Sequence, residues 1–203
     1  MYRYVKYGDD GMSILKEMMR EKIHSRNITM DTWMADEDHI IVEGRLFEER
    51  CRDYILLSGE KKEGGVLHHM VVRMKLKIPG LLICDIETEL LAVPRDGCHK
   101  IHDSLNALKG ERLEKGFTRR VHELLGGVRG CTHLNHLVIT MAPAAMQGFF
   151  ALNASRGHVS DKDRAGEESR LRRMERMLAD SCYAWSEDSE ALKGLRERIK
   201  KLQ

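Results

Sequence analysis

One segment of this chain alternates between apolar and basic residues with a regularity that fits a single kind of backbone. From Val66 to Ile78 every second residue is apolar or histidine, while the residues between them include Arg73, Lys75 and Lys77. A repeat of two residues is the side-chain period of a β-strand, and an α-helix does not produce it. The segment therefore predicts a long strand with one buried face and one wet face.

The residues that follow predict a hairpin. Pro79 and Gly80 form a turn signal, and a strand is predicted from Leu81 to Leu91 with its acidic residues on one face. An antiparallel pairing of the two strands would set a basic row beside an acidic row. A further half-buried strand is predicted from His39 to Phe47, where apolar and polar residues alternate in the same way.

Beyond Pro94 the apolar period changes from 2 to 3.6, which is typical of helices. Short helices are predicted around residues 101–108 and 117–125, each ended by glycine. A third begins near Thr132, and Pro143 is expected to kink or shorten it. Because strands come first and helices afterwards, the expected fold class is α+β, with an antiparallel sheet of about three or more strands covered by helices on one face.

The chain has 203 residues, of which 42% are hydrophobic, and this is enough to bury one sizeable core. The predicted organisation is an N-terminal amphipathic helix within residues 1–23 and an α+β core domain over residues 24–152. Residues 153–203 are predicted to form a polar linker, over residues 153–170, and a C-terminal helical extension that packs on the core. Amphipathic terminal helices could also join copies of the chain, so a homo-oligomer is one expectation.

The charge balance and the cysteine count narrow the class of protein. Lysine and arginine total 34 against 32 acidic residues, which argues against a nucleic-acid partner. No run approaches the roughly 20 apolar residues of a membrane-spanning helix, and the first residues lack the apolar segment of a signal peptide. Five widely spread cysteines do not suggest a disulfide framework. We therefore expect a cytoplasmic protein with reduced thiols and no membrane partner.

Two cysteines stand where predicted helices begin. Cys98 follows Asp96 and Gly97, and Cys131 lies in the run Gly130-Cys131-Thr132-His133. Free N–H groups at a helix start favour a thiolate, and a Cys-x-His spacing lets sulfur and imidazole face a common point, as a metal site needs. The same spacing suits a thiol nucleophile with an imidazole base, so ligand and catalyst both stay open. The third alternative is that both thiols are packing residues.

His68 lies on the apolar face of its predicted strand, so it is either a core histidine or a residue beside a metal. Cys84 shares a predicted strand face with Ile86 and is expected to be a packing residue. No glycine-rich dinucleotide turn, phosphate loop or serine-nucleophile motif is present in the sequence, so no organic cofactor is indicated.

The residues around these positions carry a family resemblance. Together with Leu67-His68-His69-Met70, Pro94 and Cys98, the run Gly130-Cys131-Thr132-His133-Leu134 resembles a bacterial family catalogued only as a domain of unknown function. The likeness extends from about His24 to Phe150, with an echo at Asp180–Trp185. It implies that the family's chemical residues correspond to His68, Cys98, Cys131, His133 and Cys182. The family commonly has an acidic residue after the first histidine, and His69 stands there instead.

A fainter resemblance is to NifU-type iron–sulfur scaffold proteins, which also present three antiparallel strands followed by cysteines at helix starts. Such scaffolds gather three cysteines and one further ligand around zinc or a cluster. By that analogy, the expected ligands are Cys98, Cys131, His133 and Cys182. His68 is the alternative fourth ligand, and a fourth position open to water is the other arrangement.

These observations lead to one leading hypothesis and two alternatives. The leading one is a metal-site protein that binds zinc, iron or an iron–sulfur cluster through Cys98, Cys131 and His133. The first alternative is a metal-free thiol enzyme that acts on a small-molecule substrate with Cys131 as nucleophile and His133 as base; His68 is a further catalytic candidate. The second is an interaction module for a partner protein, in which the cysteines are structural. The sequence leaves open whether the protein is an enzyme.

Overall fold

The computed structural model describes residues 14–155 and 164–202. Four long antiparallel strands form one sheet: β1 (His24–Met34), β2 (His39–Arg50), β5 (Gly65–Lys77) and β6 (Leu82–Ala92), in the order β1-β2-β5-β6. Two short strands, β3 (Tyr54–Ile55) and β4 (Lys61–Lys62), pair with each other in the connection between β2 and β5. The predicted α+β class is confirmed, because helices follow the sheet in the chain and pack on it.

The predicted hairpin is confirmed as the pair β5–β6. Arg73 lies opposite Glu87 and Lys75 opposite Asp85, so the basic and acidic rows face each other across the hairpin. On the same outer face, the Arg73 Nε group donates to Glu43 of β2 at 2.6 Å, and its Nη1 group donates to Glu89. This row of alternating charge lies on the sheet face that the helices leave open.

Within residues 14–155 and 164–202, five α-helices accompany the sheet: α1 (Ile14–Met18), α2 (Phe117–Leu125), α3 (Thr132–Ser155), α4 (Arg164–Leu178) and α5 (Glu190–Lys201). Short 3-10 helices span Asp96–Ile101, Ser104–Leu108, Gly127–Arg129 and Tyr183–Trp185. The predicted helix at 117–125 is confirmed, whereas the segment predicted as a helix at 101–108 is built from two 3-10 turns.

Helix α3 covers the inner face of the sheet and forms the centre of the core. Its buried apolar residues follow helical spacing and meet the inward residues of β2 and β5; they are Leu134, Leu137, Val138, Met141, Ala145 and Phe149. Pro143 was expected to kink or shorten this helix; the shortening is wrong, since α3 continues to Ser155, and the kink stays a prediction. A proline inside a helix removes one hydrogen bond, and the buried residues on both sides of Pro143 hold the helix in place.

The terminal segments differ from their predicted extents. Helix α1 spans only Ile14–Met18 and has no buried residue. Much of the predicted polar linker is helical, because α3 runs on to Ser155 and α4 begins at Arg164. The remainder of that linker, residues 156–163, lies outside the described residues, as do residues 1–13 of the predicted N-terminal segment.

Within the described parts of the chain, one helix, Thr132–Ala154, is long and apolar enough to cross a membrane by length and composition alone. Core helices of soluble proteins meet the same criterion. The buried stripe of α3 faces the sheet, as it does in a core helix.

Candidate metal centre

Three polar residues stand side by side on the inner face of the sheet, where apolar residues otherwise prevail. Arg26 of β1 lies opposite Glu48 of β2, and Glu48 lies opposite His68 of β5. The pairing of β2 with β5 shifts register between Glu48 and Glu49, so a bulge interrupts the regular ladder beside this row. Bulges of this kind re-aim side chains and are common next to functional sites.

Glu48 is the centre of this row, and its side chain is 5% exposed. Its Oε1 atom accepts hydrogen bonds from His24 Nε2 at 2.7 Å and from Arg26 Nη2 at 2.8 Å. Its Oε2 atom lies 2.7 Å from Nδ1 of the equally buried His68. One carboxylate oxygen is therefore held by β1, and the other faces the core.

His133 brings a second imidazole to Oε2 of Glu48 from above the sheet. It lies in the first turn of α3, and its Nε2 atom is 3.6 Å from Oε2. The rings of His68 and His133 stack with centroids 3.8 Å apart and planes tilted by 32°. The two histidines therefore meet the same carboxylate oxygen from two different elements.

The start of α3 is fixed against the end of α2, and this places His133. Asn135 Nδ2 donates to the carbonyl oxygen of Leu125 at 2.8 Å. Gly130 passes so close to that carbonyl that an added Cβ atom would lie 2.6 Å from its oxygen. A larger residue at Gly130 would thus push the two helices apart and displace the residues that follow it.

Cys131 immediately precedes α3, with its Sγ atom 3.7 Å from Nδ1 of His133. Burial raises the pKa of this thiol, but the contact with His133 and the backbone N–H groups of Leu134 and His133 outweigh burial, so the net pKa is lowered. The local arrangement favours a thiolate, as the sequence predicted for a cysteine at a helix start.

The charge of Glu48 is stabilised in the same manner. Burial raises the pKa of this carboxyl group, but the hydrogen bonds from His24, Arg26 and His68 lower it by more, so that the net pKa is about 2. Glu48 is consequently an anion under all physiological conditions. An anionic oxygen beside two imidazoles is an arrangement that a divalent cation can occupy.

Among the described residues, one group of three offers ligand atoms close enough to share an ion: Glu48, His68 and His133, whose atoms all lie within 4.8 Å of one another. Two ligands about 2.1 Å from a tetrahedral ion are about 3.4 Å apart. The 2.7 Å and 3.6 Å spacings around Oε2 bracket that value. Small shifts of the side chains, whose ligand atoms all lie within 4.8 Å of one another, would complete a coordination shell of two nitrogens and one oxygen.

The structure brings together two of the sequence-predicted site residues, His68 and His133, and sets Cys131 beside them. Cys98 lies half-buried in the 3-10 helix Asp96–Ile101, and Cys182 is exposed in the turn between α4 and α5. Neither cysteine belongs to the group of three, and their role as ligands stays a prediction. All five cysteines are unpaired.

Glu48, Arg26 and His24 were not anticipated from the sequence. A signal for Glu48 exists, because the alternation Ile40, Val42, Gly44, Leu46 continues to position 48 on the inward face. A charged residue at an inward position needs a partner. Arg26 and His24 belong to β1, a strand that was not predicted from the sequence pattern.

The fold and the site define an antiparallel α+β domain with a buried carboxylate–imidazole cluster under the first turn of its core helix. The sequence model of a family described as protein of unknown function (DUF2889) matches residues 24–147, more than half of the chain, and the chain belongs to that family. The comparisons with curated proteins and with solved structures each gave no significant match. The family assignment confirms the resemblance to a domain of unknown function; the likeness to NifU-type scaffolds stays a prediction.

Proposed function

We propose that this protein holds a single zinc or ferrous ion through Glu48 Oε2, His68 Nδ1 and His133 Nε2. The observation that carries the proposal is the convergence of these three groups within 4.8 Å, with Glu48 and His68 buried and His133 half-buried. Two imidazoles and one carboxylate suit zinc or iron, whereas magnesium and calcium prefer oxygen ligands. An iron–sulfur cluster would need thiolates in their place.

The contacts around the three groups supply the support that bound ligands usually have. Arg26 and His24 hold the other oxygen of Glu48, and the thiol of Cys131 faces the second ring nitrogen of His133. Partners of this kind fix the orientation of the ligands, and their removal commonly weakens metal affinity by about 10–100-fold. Cys131 then acts beside the ion, as the acceptor for His133.

One side of the centre reaches water, and there a substrate could bind. The side chain of His133 is 27% exposed and that of Arg26 is 38% exposed, whereas Glu48 and His68 are buried. With three protein ligands, a fourth position stays open to water or to a small molecule, and zinc lowers the pKa of such a water to about 7. The function supported best is therefore metal-assisted chemistry on a small-molecule substrate.

The test is a titration of chelator-treated protein with Zn²⁺ and, separately, with Co²⁺ as a spectroscopic probe. We expect one ion per chain and its loss in His68→Ala and His133→Ala. His69→Ala is the matched control, because His69 is on the outer face of the same strand, against Phe47. Stoichiometric binding that is untouched by His68→Ala would contradict the proposal.

The same titration separates this ligand set from the cysteine set predicted from the sequence. Thiolate ligands give Co²⁺ an intense near-ultraviolet charge-transfer band, which carboxylate and imidazole ligands lack. We expect no such band, and we expect Cys98→Ser and Cys182→Ser to bind as the wild type does. An intense band that disappears in Cys98→Ser would favour the cysteine set instead.

A second candidate function is favoured by a specific alignment. Cys131 Sγ, the His133 ring and Glu48 Oε2 follow one another at 3.7 Å and 3.6 Å, the order of a thiol nucleophile, its base and an orienting carboxylate. Under this alternative the chelated protein is active as a thiol enzyme, and iodoacetamide labels Cys131 much faster than Cys98. His133→Ala would abolish that difference. Equal labelling of Cys131 and Cys98 in the wild type would exclude the thiol-enzyme alternative.

A further inference from the structure

A large cavity opens between the C-terminal part of α3 and helix α4, far from the metal centre. Its volume is about 890 Å³, within the range of about 300–1,000 Å³ that small-molecule sites occupy. Phe150 lies on its wall, 17 residues after His133 on the same helix, which is about 25 Å at a rise of 1.5 Å per residue. The cavity is therefore a separate feature.

The walls of this cavity are mostly apolar. Phe149 and Phe150 line it from α3, and Leu171, Met174 and Met177 line it from α4. Phe149 and Leu171 are buried, while the two methionines and Phe150 are half-buried. Unbranched methionine side chains adapt to the shape of a flexible hydrocarbon chain.

Two arginines of α4 add positive charge to the same wall. Arg170 and Arg173 line the cavity and are half-buried. Three residues apart on a helix, they lie on one face, where like charges repel each other. Among residues 14–155 and 164–202 neither has a carboxylate partner, whereas Arg172 pairs with Glu168 and Arg198 with Glu167. An anion between Arg170 and Arg173 would relieve their repulsion.

We propose that this cavity binds a long-chain carboxylate, that is, a single-chain fatty acid. The carboxylate lies between Arg170 and Arg173, because guanidinium groups form paired, charge-assisted hydrogen bonds with carboxylates. The alkyl chain lies along Phe150, Met174 and Met177, where it is removed from contact with water. The charge complementarity of the wall selects an anionic amphiphile over a neutral apolar ligand.

The test is calorimetric titration of the full chain with monomeric palmitate and with methyl palmitate. We expect saturable binding of palmitate with one site per chain, and binding of the uncharged ester at least about tenfold weaker, in line with the loss of charge-assisted hydrogen bonds. Arg170→Gln combined with Arg173→Gln should weaken palmitate binding to the level of the ester. Arg176→Gln is the matched control, because Arg176 is exposed on the same helix and does not line the cavity.

A second variant keeps the test independent of charge. Ser169→Trp would fill the cavity from an exposed position of α4 and should abolish binding of palmitate, with an unchanged far-ultraviolet circular dichroism spectrum. The proposal is overturned if the wild type shows no saturable palmitate binding, or if it binds the ester equally well. Binding that needs phospholipid vesicles and is absent with free palmitate would overturn it in favour of a membrane surface.

Discussion

At Glu48, burial and charge oppose each other, and the hydrogen bonds decide the balance. An isolated buried carboxylate would take up a proton, but Arg26, His24 and His68 hold this one as an anion. We expect Glu48→Gln to destabilise the fold by about 2–3 kcal/mol, below the 3–5 typical of a broken buried pair, because Arg26 still reaches water. The variant should also lose Zn²⁺ binding. Urea unfolding and zinc titration measure the two effects.

The neighbouring residue supplies the control for this prediction. Glu49 follows in the same strand, and its side chain is 35% exposed. Glu49→Gln should change the free energy of unfolding by less than about 0.5 kcal/mol and leave zinc binding intact. If both variants behave alike, then the charge of Glu48 is not what organises the site.

Residues of the candidate metal centre could be predicted from the sequence only where a local pattern marked them. The helix-start context singled out Cys131 and His133, and the alternation of β5 placed His68 on the inward face, where it is found. Glu48 escaped because the predicted strand ended at Phe47, one residue short, and a glutamate after it reads as part of a charged loop. In the cysteine-based ligand set, Cys98, Cys131 and His133 came from the helix-start context, and Cys182 was added by a resemblance. Separation along the chain could not say which of these distant groups would meet.

At the scale of elements, helix α3 approaches strand β1 so closely that one position permits only glycine. A Cβ atom added to Gly148 would lie 2.4 Å from Cγ2 and 2.5 Å from Cβ of Thr32, and a branched residue on a strand cannot move aside. We therefore expect Gly148→Ala to destabilise the fold by about 1–3 kcal/mol through overpacking, although alanine favours helix. Thermal unfolding measures the change.

Gly194 is the matched control, since it lies inside α5 and a Cβ atom there would meet nothing within 4 Å. Gly194→Ala should stabilise the protein by about 0.5–1 kcal/mol through helix propensity alone. A stabilising Gly148→Ala would show that α3 does not pack on β1 as closely as described.

The outer face of the sheet predicts a dependence of stability on pH. Burial raises the pKa of Glu43, but hydrogen bonds from Arg73 and Arg45 outweigh it, so the net pKa is lowered below the ordinary 4.5. A carboxyl group whose pKa is lower in the folded chain than in the unfolded chain stabilises the fold above pH 4.5. This contribution is lost as the pH falls below that value. Glu43→Gln should therefore cost about 1–2 kcal/mol at neutral pH and clearly less near pH 3.

Urea unfolding of the wild type and of Glu43→Gln at the two pH values measures this difference. Glu114→Gln, at an exposed position, should be neutral at both. An equal cost of Glu43→Gln at neutral and acid pH would mean that packing, and not charge, explains its effect.

Element prediction succeeded where the hydrophobic pattern was regular and failed where local geometry broke it. Strand β1 was missed although Ile28, Met30 and Met34 alternate, because polar residues and a tryptophan fill the positions between them. Cys84 was expected on the buried face with Ile86 but is exposed, since the ladder shifts register there and both Ile83 and Ile86 turn inward. A bulge of one residue reverses every inference about which side chains share a face.

For the whole molecule, the candidate metal centre lies where the separate parts of the core meet. Its three proposed ligands come from β2, β5 and α3, and Arg26 adds β1. An ion bound there would join the helical layer to the sheet directly, and it would bind only the folded chain, because these residues are far apart in sequence. Binding that is restricted to the folded state raises its stability by mass action.

Zinc should therefore raise the thermal midpoint of unfolding. At a free concentration one hundred times the dissociation constant, the gain is about 2.7 kcal/mol, which for a chain of this size is about 5–10 °C. Scanning calorimetry of chelator-treated protein with and without Zn²⁺ measures the shift, and His68→Ala should show none, while His69→Ala should respond as the wild type does. Identical midpoints for the wild type with and without zinc, at a concentration that saturates binding, would mean that the ion attaches to a part of the surface that does not take part in cooperative unfolding.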